Sequence, residues 1–164
     1  MNTRKLMVPA TLAALALVLA ACGGKTASRS TPDWSNPQTI QYADSLHVDL
    51  SSMTRTEDGL YYKDIKEGSG EEAEPGDVAV VHYTGYLPNG KVFDANGPSD
   101  PPFTFEMGIG RVIRGWDIGV QGMKVGGERL LVIPPDLAYG SKGAGDAVPP
   151  NTTLIFDITL TDVR

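Results

Sequence analysis

Val78-Ala79-Val80-Val81-His82-Tyr83-Thr84-Gly85-Tyr86-Leu87 runs into Pro88-Asn89-Gly90-Lys91 and then Val92-Phe93. The first ten residues are β-branched and aromatic, which suits a strand. Asn89-Gly90 accepts the positive φ that a tight hairpin demands, so Val92-Phe93 starts a return strand. The pattern outward from this hairpin stays sheet-like. Leu60 to Lys66 reads as a strand, followed by an acidic turn over Glu71 to Asp77. A Pro/Asp/Gly segment, Ala95 to Pro102, interrupts the return strand, which resumes over Phe103 to Glu106. Glu128 to Ile133 reads as another strand, ended by Pro134-Pro135. Ser141 to Asn151 is a Gly/Pro-rich loop. Over Thr153 to Val163, Leu154, Phe156, Ile158 and Leu160 alternate with Ile155, Asp157, Thr159 and Thr161, the period of a strand.

One helix is expected, over Val112 to Met123. Ile113, Trp116, Val120 and Met123 fall on one apolar face. Gly115, Gly119 and Gly122 each weaken it by roughly 1 kcal/mol relative to Ala, so packing must hold it. These elements predict an α+β domain, an antiparallel sheet of about five strands wrapped on one short α-helix.

The 164 residues are 41% apolar, enough for one domain with a real core. The formal charge is −6. Residues 1–21 carry Arg4 and Lys5 and no acid, so the remainder is more acidic still. With no basic stripe, nucleic acid is not an expected partner.

The single cysteine, Cys22, is informative by position. A basic start, Met1 to Lys5, precedes an apolar Ala/Leu-rich run, Leu6 to Leu19, and small residues follow. This is the three-part form of a secretory signal, and the run is short for a membrane span of about 20 residues. Leu19-Ala20-Ala21-Cys22 resembles the lipobox of bacterial lipoproteins. That resemblance implies cleavage before Cys22, lipid on its thiol and firm anchoring to a membrane. The expected location is extracytoplasmic. Gly23, in place of the Asp that signals inner-membrane retention, favours the outer membrane if the envelope is Gram-negative. No second cysteine is available for a disulfide.

The expected organisation is a signal peptide over 1–21, a lipidated cysteine and flexible tether over 22–58, and a folded domain over 59–164. A tether of that length spans roughly 30–36 Å. Within it, Tyr42 to Leu50 alternates weakly and reads either as an added edge strand or as linker.

Several chemistries find no support. Two histidines, His47 and His82, with no cysteine in the domain do not make a zinc site, and no metal or cofactor is expected. His82 reads as a strand residue beside Tyr83 rather than a catalytic base. Gly108-Ile109-Gly110 with Gly115 misses the dinucleotide fingerprint and lacks a parallel βαβ setting. Ser141 lacks the spacing of a nucleophile elbow. Asp94 and Asp136 are a carboxylate pair only in the sense that both are acids.

What remains is an aromatic set. Val81-His82-Tyr83-Thr84-Gly85, Gly90-Lys91-Val92-Phe93-Asp94, Val112-Ile113-Arg114-Gly115-Trp116, Gly122-Met123-Lys124-Val125-Gly126, Ala138-Tyr139-Gly140, Val148-Pro149-Pro150-Asn151 and Leu154-Ile155-Phe156-Asp157 follow in order. These segments resemble the motifs of the FKBP-type peptidyl-prolyl cis-trans isomerases over about Leu60 to Val163. The resemblance implies a curved antiparallel sheet around a short helix, and rotation about X-Pro bonds as the activity. It implies Trp116 as the pocket floor, with Tyr83, Phe93, Val112, Ile113 and Phe156 as walls and Phe103 at one edge. Tyr139 is expected to aim its hydroxyl at a substrate carbonyl, the Ile113 N–H to offer a second donor, and Asp94 to lie near the rotating bond. Val148 is expected to contact substrate.

Ser99 stands where many members carry a basic residue, and Gly143 to Ala147 is small where they are often bulkier. The implied partners are proline-containing polypeptides and tacrolimus- or rapamycin-like macrolides, and the expected state is a monomer. The leading expectation is a lipid-anchored prolyl isomerase for exported proteins. The alternative is a non-catalytic peptide-binding or chaperone lipoprotein that keeps the pocket.

Overall fold

The computed structural model describes residues 32–164, which form one compact unit. The expected signal peptide and the lipidated Cys22 lie outside the described residues. Seven strands occur: β1 (Thr54–Arg55), β2 (Tyr61–Lys66), β3 (Val78–Tyr86), β4 (Val92–Asn96), β5 (Phe103–Glu106), β6 (Glu128–Ile133) and β7 (Leu154–Val163). All pair antiparallel, in the order β1-β2-β6-β7-β3-β4, with β5 also on β3. β5 pairs along Val78 to Val81 and β4 along Tyr83 to Tyr86, so the two share one edge of β3. The interrupting segment between them lets the chain leave and rejoin that edge. The two extra strands relative to the expected five are the two-residue β1 and the separate counting of β4 and β5.

The helix is shorter than the expected Val112–Met123. Only α1 (Arg114–Gly119) is helical. It nevertheless places Trp116 and Gly115 against the sheet. A Cβ on Gly115 would run into the Ile133 side chain of β6, so glycine there sets how close the helix approaches. The helix exit is held by Arg129 of β6. Its Nη1 donates to the carbonyls of Gly119 and Gln121, both at 3.0 Å, while its other nitrogens grip Asp64 at 2.6 and 3.1 Å. This guanidinium lies over the Tyr62 ring at 4.7 Å. A charge so buried is tolerable because its donors are paired and its flat face is covered.

Strand alternation builds two apolar clusters, one on each sheet face. Leu154, Phe156, Ile158 and Leu160 of β7 join Val81, Leu131, Ile133, Trp116 and Met123 in the main core under α1. Ile155, on the opposite face, joins Tyr61, Leu130, Val132 and Leu46. Residues 32–53, read from the sequence as part of a tether, contain three single 3-10 turns; Tyr42 to Met53 pack on this second face, while Trp34 packs against the main core. Tyr42, Val48, Leu50 and Met53 flank the cluster, and Thr153 N donates to Trp34 O at 2.8 Å. Tyr42–Leu50 is therefore neither edge strand nor free linker. Its weakly alternating apolar residues cover a sheet face that would otherwise expose Leu130, Val132 and Ile155 to water.

Candidate active site

β3 carries the site from one side and α1 from below. Tyr83 on β3 meets the Trp116 ring edge-on, with centroids 4.9 Å apart and planes at 82°. Phe156 of β7 meets Trp116 at 5.2 Å and 85°, and Phe103 of β5 at 6.0 Å and 80°. Edge-to-face contacts of this kind are favourable for ring quadrupoles and fix the orientation of each ring. The result is a cup with a buried indole floor. Its volume is about 590 Å³, within the range of small-ligand sites.

Tyr83, Asp94, Phe103, Val112, Ile113, Trp116, Tyr139 and Phe156 all line this one cavity. Two expected residues do not. Val148 is buried at 1% exposure and packs in the main core. Phe93 is part-buried and packs edge-on against Phe156 of the wall at 5.5 Å. Gly85 makes that packing possible, since a Cβ there would come within 2.7 Å of the Phe93 ring and 2.8 Å of Phe156. Phe93 thus supports the Phe156 wall. Alternation along β4 separates it from Asp94, which faces the cavity.

Three lining residues were not singled out from the sequence: Arg111, Arg114 and Ala138. Charged side chains carry no apolar period, so no sequence signal placed Arg111 in an aromatic cup.

The polar groups of the cup are few, some paired within the protein and some free. The Tyr83 hydroxyl donates to Asp94 Oδ2 at 2.7 Å. Burial first, then the Asp94 hydrogen bond and charge, pushes the Tyr83 hydroxyl well above its ordinary range. Burial and then the Asp94 charge raise Tyr139 likewise. Tyr139 is 39% exposed, so its hydroxyl is reachable. The Ile113 N–H finds no acceptor among the described residues, and Ile113 itself is the N-cap of α1 with its carbonyl taken by Trp116 N. His82 sits on the other face of β3, with Nδ1 3.0 Å from Asn96 Oδ1, and does not line the cavity. Among the described residues, no group of three or more His, Cys, Asp or Glu side chains is placed to hold a metal.

The loop before α1 forms one rim, and Asp117 pins it. The Asp117 carboxylate accepts from Gly108 N at 2.9 Å and Gly110 N at 3.1 Å. Asp117 directly follows the Val112-Ile113-Arg114-Gly115-Trp116 motif, yet no role is expected for it from the sequence.

A family model described as FKBP-type peptidyl-prolyl cis-trans isomerase matches residues 69–161. An FK506-binding protein of Neisseria meningitidis serogroup B is 49% identical over 64% of this chain and 96% of its own length. FK506-binding protein 4 of Dictyostelium discoideum is 54% identical over 67% of this chain, and the chain spans 30% of that relative's length. The crystal structure of a peptidyl-prolyl cis-trans isomerase from Pseudomonas syringae superposes with a TM-score of 0.62 at 37% identity. That match covers 68% of this chain and 80% of the other. The matched region contains every residue of the cup.

Proposed function

This chain belongs to the FKBP-type peptidyl-prolyl cis-trans isomerase family, and we propose that it accelerates X-Pro rotation in exported polypeptides by desolvation and by binding the twisted amide. The observation that carries the mechanism is the makeup of the cup: a buried indole floor and aromatic walls, with its one carboxylate engaged by Tyr83.

Rotation breaks amide resonance against a barrier of about 18–20 kcal/mol. The planar amide holds negative charge on oxygen, and water stabilises it more than the twisted form. Seating the proline ring on Trp116 strips that water away. The Ile113 N–H and the Tyr139 hydroxyl are the free donors that hold the flanking carbonyls while the bond turns. No covalent bond is made or broken, so the acceleration comes from binding the twisted form better than either planar one, at tenfold per ~1.4 kcal/mol. Proline suits the site because its cis and trans forms differ by only ~0.5–1 kcal/mol, so a catalyst has both isomers to interconvert.

Macrolides of the FK506 type are the proposed small-molecule ligands of the same cup, as the names of the relatives suggest. The exported setting rests on the basic, apolar and Leu-Ala-Ala-Cys pattern of residues 1–22, which favours a lipid-anchored, extracytoplasmic protein. A monomer is the proposed state, because the chain has no long heptad segment. The deciding experiment is a protease-coupled assay on proline tetrapeptides with residues 23–164. Turnover of cis peptide above the uncatalysed rate, inhibited by a macrolide, is expected. Macrolide binding without turnover would leave only the non-catalytic binding module.

A further inference from the structure

Three charged side chains line the cup: Asp94, Arg111 and Arg114. Two are already paired. Asp94 takes the Tyr83 hydroxyl at 2.7 Å, and Arg114 Nη2 meets Asp58 Oδ1 at 3.0 Å. Arg111 has no carboxylate partner among the described residues and is exposed. Its backbone is nonetheless well placed. The preceding Gly110 N–H and the Gly108 N–H are both held by Asp117, and the following Val112 and Ile113 line the cup. A free guanidinium is therefore carried at the mouth of an apolar cavity, on a fixed loop, in a chain of formal charge −6.

We propose that Arg111 is a specificity-determining residue that favours polypeptide substrates with an aspartate or glutamate flanking the target proline. The inference rests on the isomerase activity assigned to the same cavity and adds the charge class of its substrates. With proline on Trp116, the neighbouring residues must leave across the rim, within reach of a side chain as long as arginine. A carboxylate there gains an attractive partner and a fork of donors that no carboxylate among the described residues competes for. A lysine at the same place meets repulsion. The pair is exposed to water, so the gain is modest, about two- to fivefold in kcat/KM at low ionic strength. It is also sensitive to salt, because the screening length falls to about 3 Å at 1 M.

The test uses the full chain in detergent and tetrapeptides with Glu, Gln or Lys either directly before or directly after proline. The readout is the ratio of kcat/KM for Glu over Gln peptides within each variant, so changes in total activity or folded fraction cancel. The wild type should favour Glu on at least one flank, with a ratio of about two to five. Arg111→Gln should bring that ratio to near one, Arg111→Glu should make Lys the favoured residue, and 1 M NaCl should erase the preference in wild type. An identical ratio in wild type and both variants, on both flanks, overturns the proposal. The same ratios are also read from equilibrium binding through tryptophan fluorescence. Charge-dependent binding without turnover of any peptide would strike the isomerase activity and leave the role of Arg111 standing.

Discussion

Asp117→Ala tests how far the rim depends on a single carboxylate. Asp117 is 9% exposed and accepts hydrogen bonds from two backbone amides, Gly108 and Gly110. Hydrogen bonds to a charged acceptor each contribute about 1.5–3 kcal/mol. Both glycines are exposed, so the freed N–H groups rehydrate and the loss lies at the low end of that range. A total near 3 kcal/mol follows, which lowers Tm by about 10 °C for a domain between the sizes usually tabulated. The rim also loses its anchor. The loop ahead of Ile113 then samples conformations in which the free N–H points away from the cup, and each substrate must reorder it. KM is expected to rise several-fold, with a smaller change in kcat. Asp117→Asn keeps the shape but turns one acceptor into a donor facing an N–H, so it should fall close to Ala. Thermal unfolding by circular dichroism and the protease-coupled assay read both effects. A Tm within 2 °C of wild type together with an unchanged KM for Asp117→Ala would refute this reasoning.

Trp116→Leu should weaken macrolide binding at least tenfold in a fluorescence-polarisation titration, because three wall rings lose the edge-on partner that orients them. Unchanged affinity would mean the indole is only core. Tyr139→Phe should reduce kcat/KM about two- to tenfold, the value of one hydrogen bond, and catalytic efficiency should stay flat from pH 6 to 8 since Tyr83 and Tyr139 are both held protonated. A bell-shaped profile centred near neutrality would argue for acid–base chemistry. Asp157 of β7, opposite Leu130 of β6 and Thr84 of β3, is pushed up to about 6 by burial first and then by Glu128. Its folded value lies above its ordinary one, so the native state holds the proton longer. Stability should therefore fall as pH rises from about 4 through 6. Asp157→Asn should remove that slope and stabilise the protein at pH 7, as read by urea unfolding; an unchanged slope in the variant would count against it. Cys22→Ser should abolish labelled-palmitate uptake and tight membrane fractionation; a variant that still pellets like wild type would place the anchor in the apolar run instead.

The strands were largely legible because a half-buried sheet writes its period into the chain. Leu154, Phe156, Ile158 and Leu160 stand on one face of β7 as their alternation requires. The aromatic cup was legible only through the family resemblance. Nothing in the local pattern around Phe93 or Val148 says that one packs on a wall ring and the other is buried in the core. The helix was overestimated because Val120 and Met123 continue the apolar spacing after the backbone has left the helix. Their side chains are still buried in the core by the turn that follows.

Taken alone, the sequence determined the antiparallel sheet, the hairpin at Asn89-Gly90, the family and most of the cup's residues. The sheet and the hairpin depend on side-chain type at short spacing, and the family and the cup's residues on the resemblance of several ordered motifs. Tertiary structure decided the rest. It set Tyr42 to Met53 against the second sheet face, gave Arg129 a role at the helix end, made Asp117 the clasp of the rim and left Arg111 at the mouth with no carboxylate partner among the described residues. Those facts depend on which distant groups meet. Arg129 grips Asp64, 65 residues away, and no local pattern encodes such a distance. A charge becomes structural or functional according to whether the fold brings it a partner, and only the assembled chain settles that.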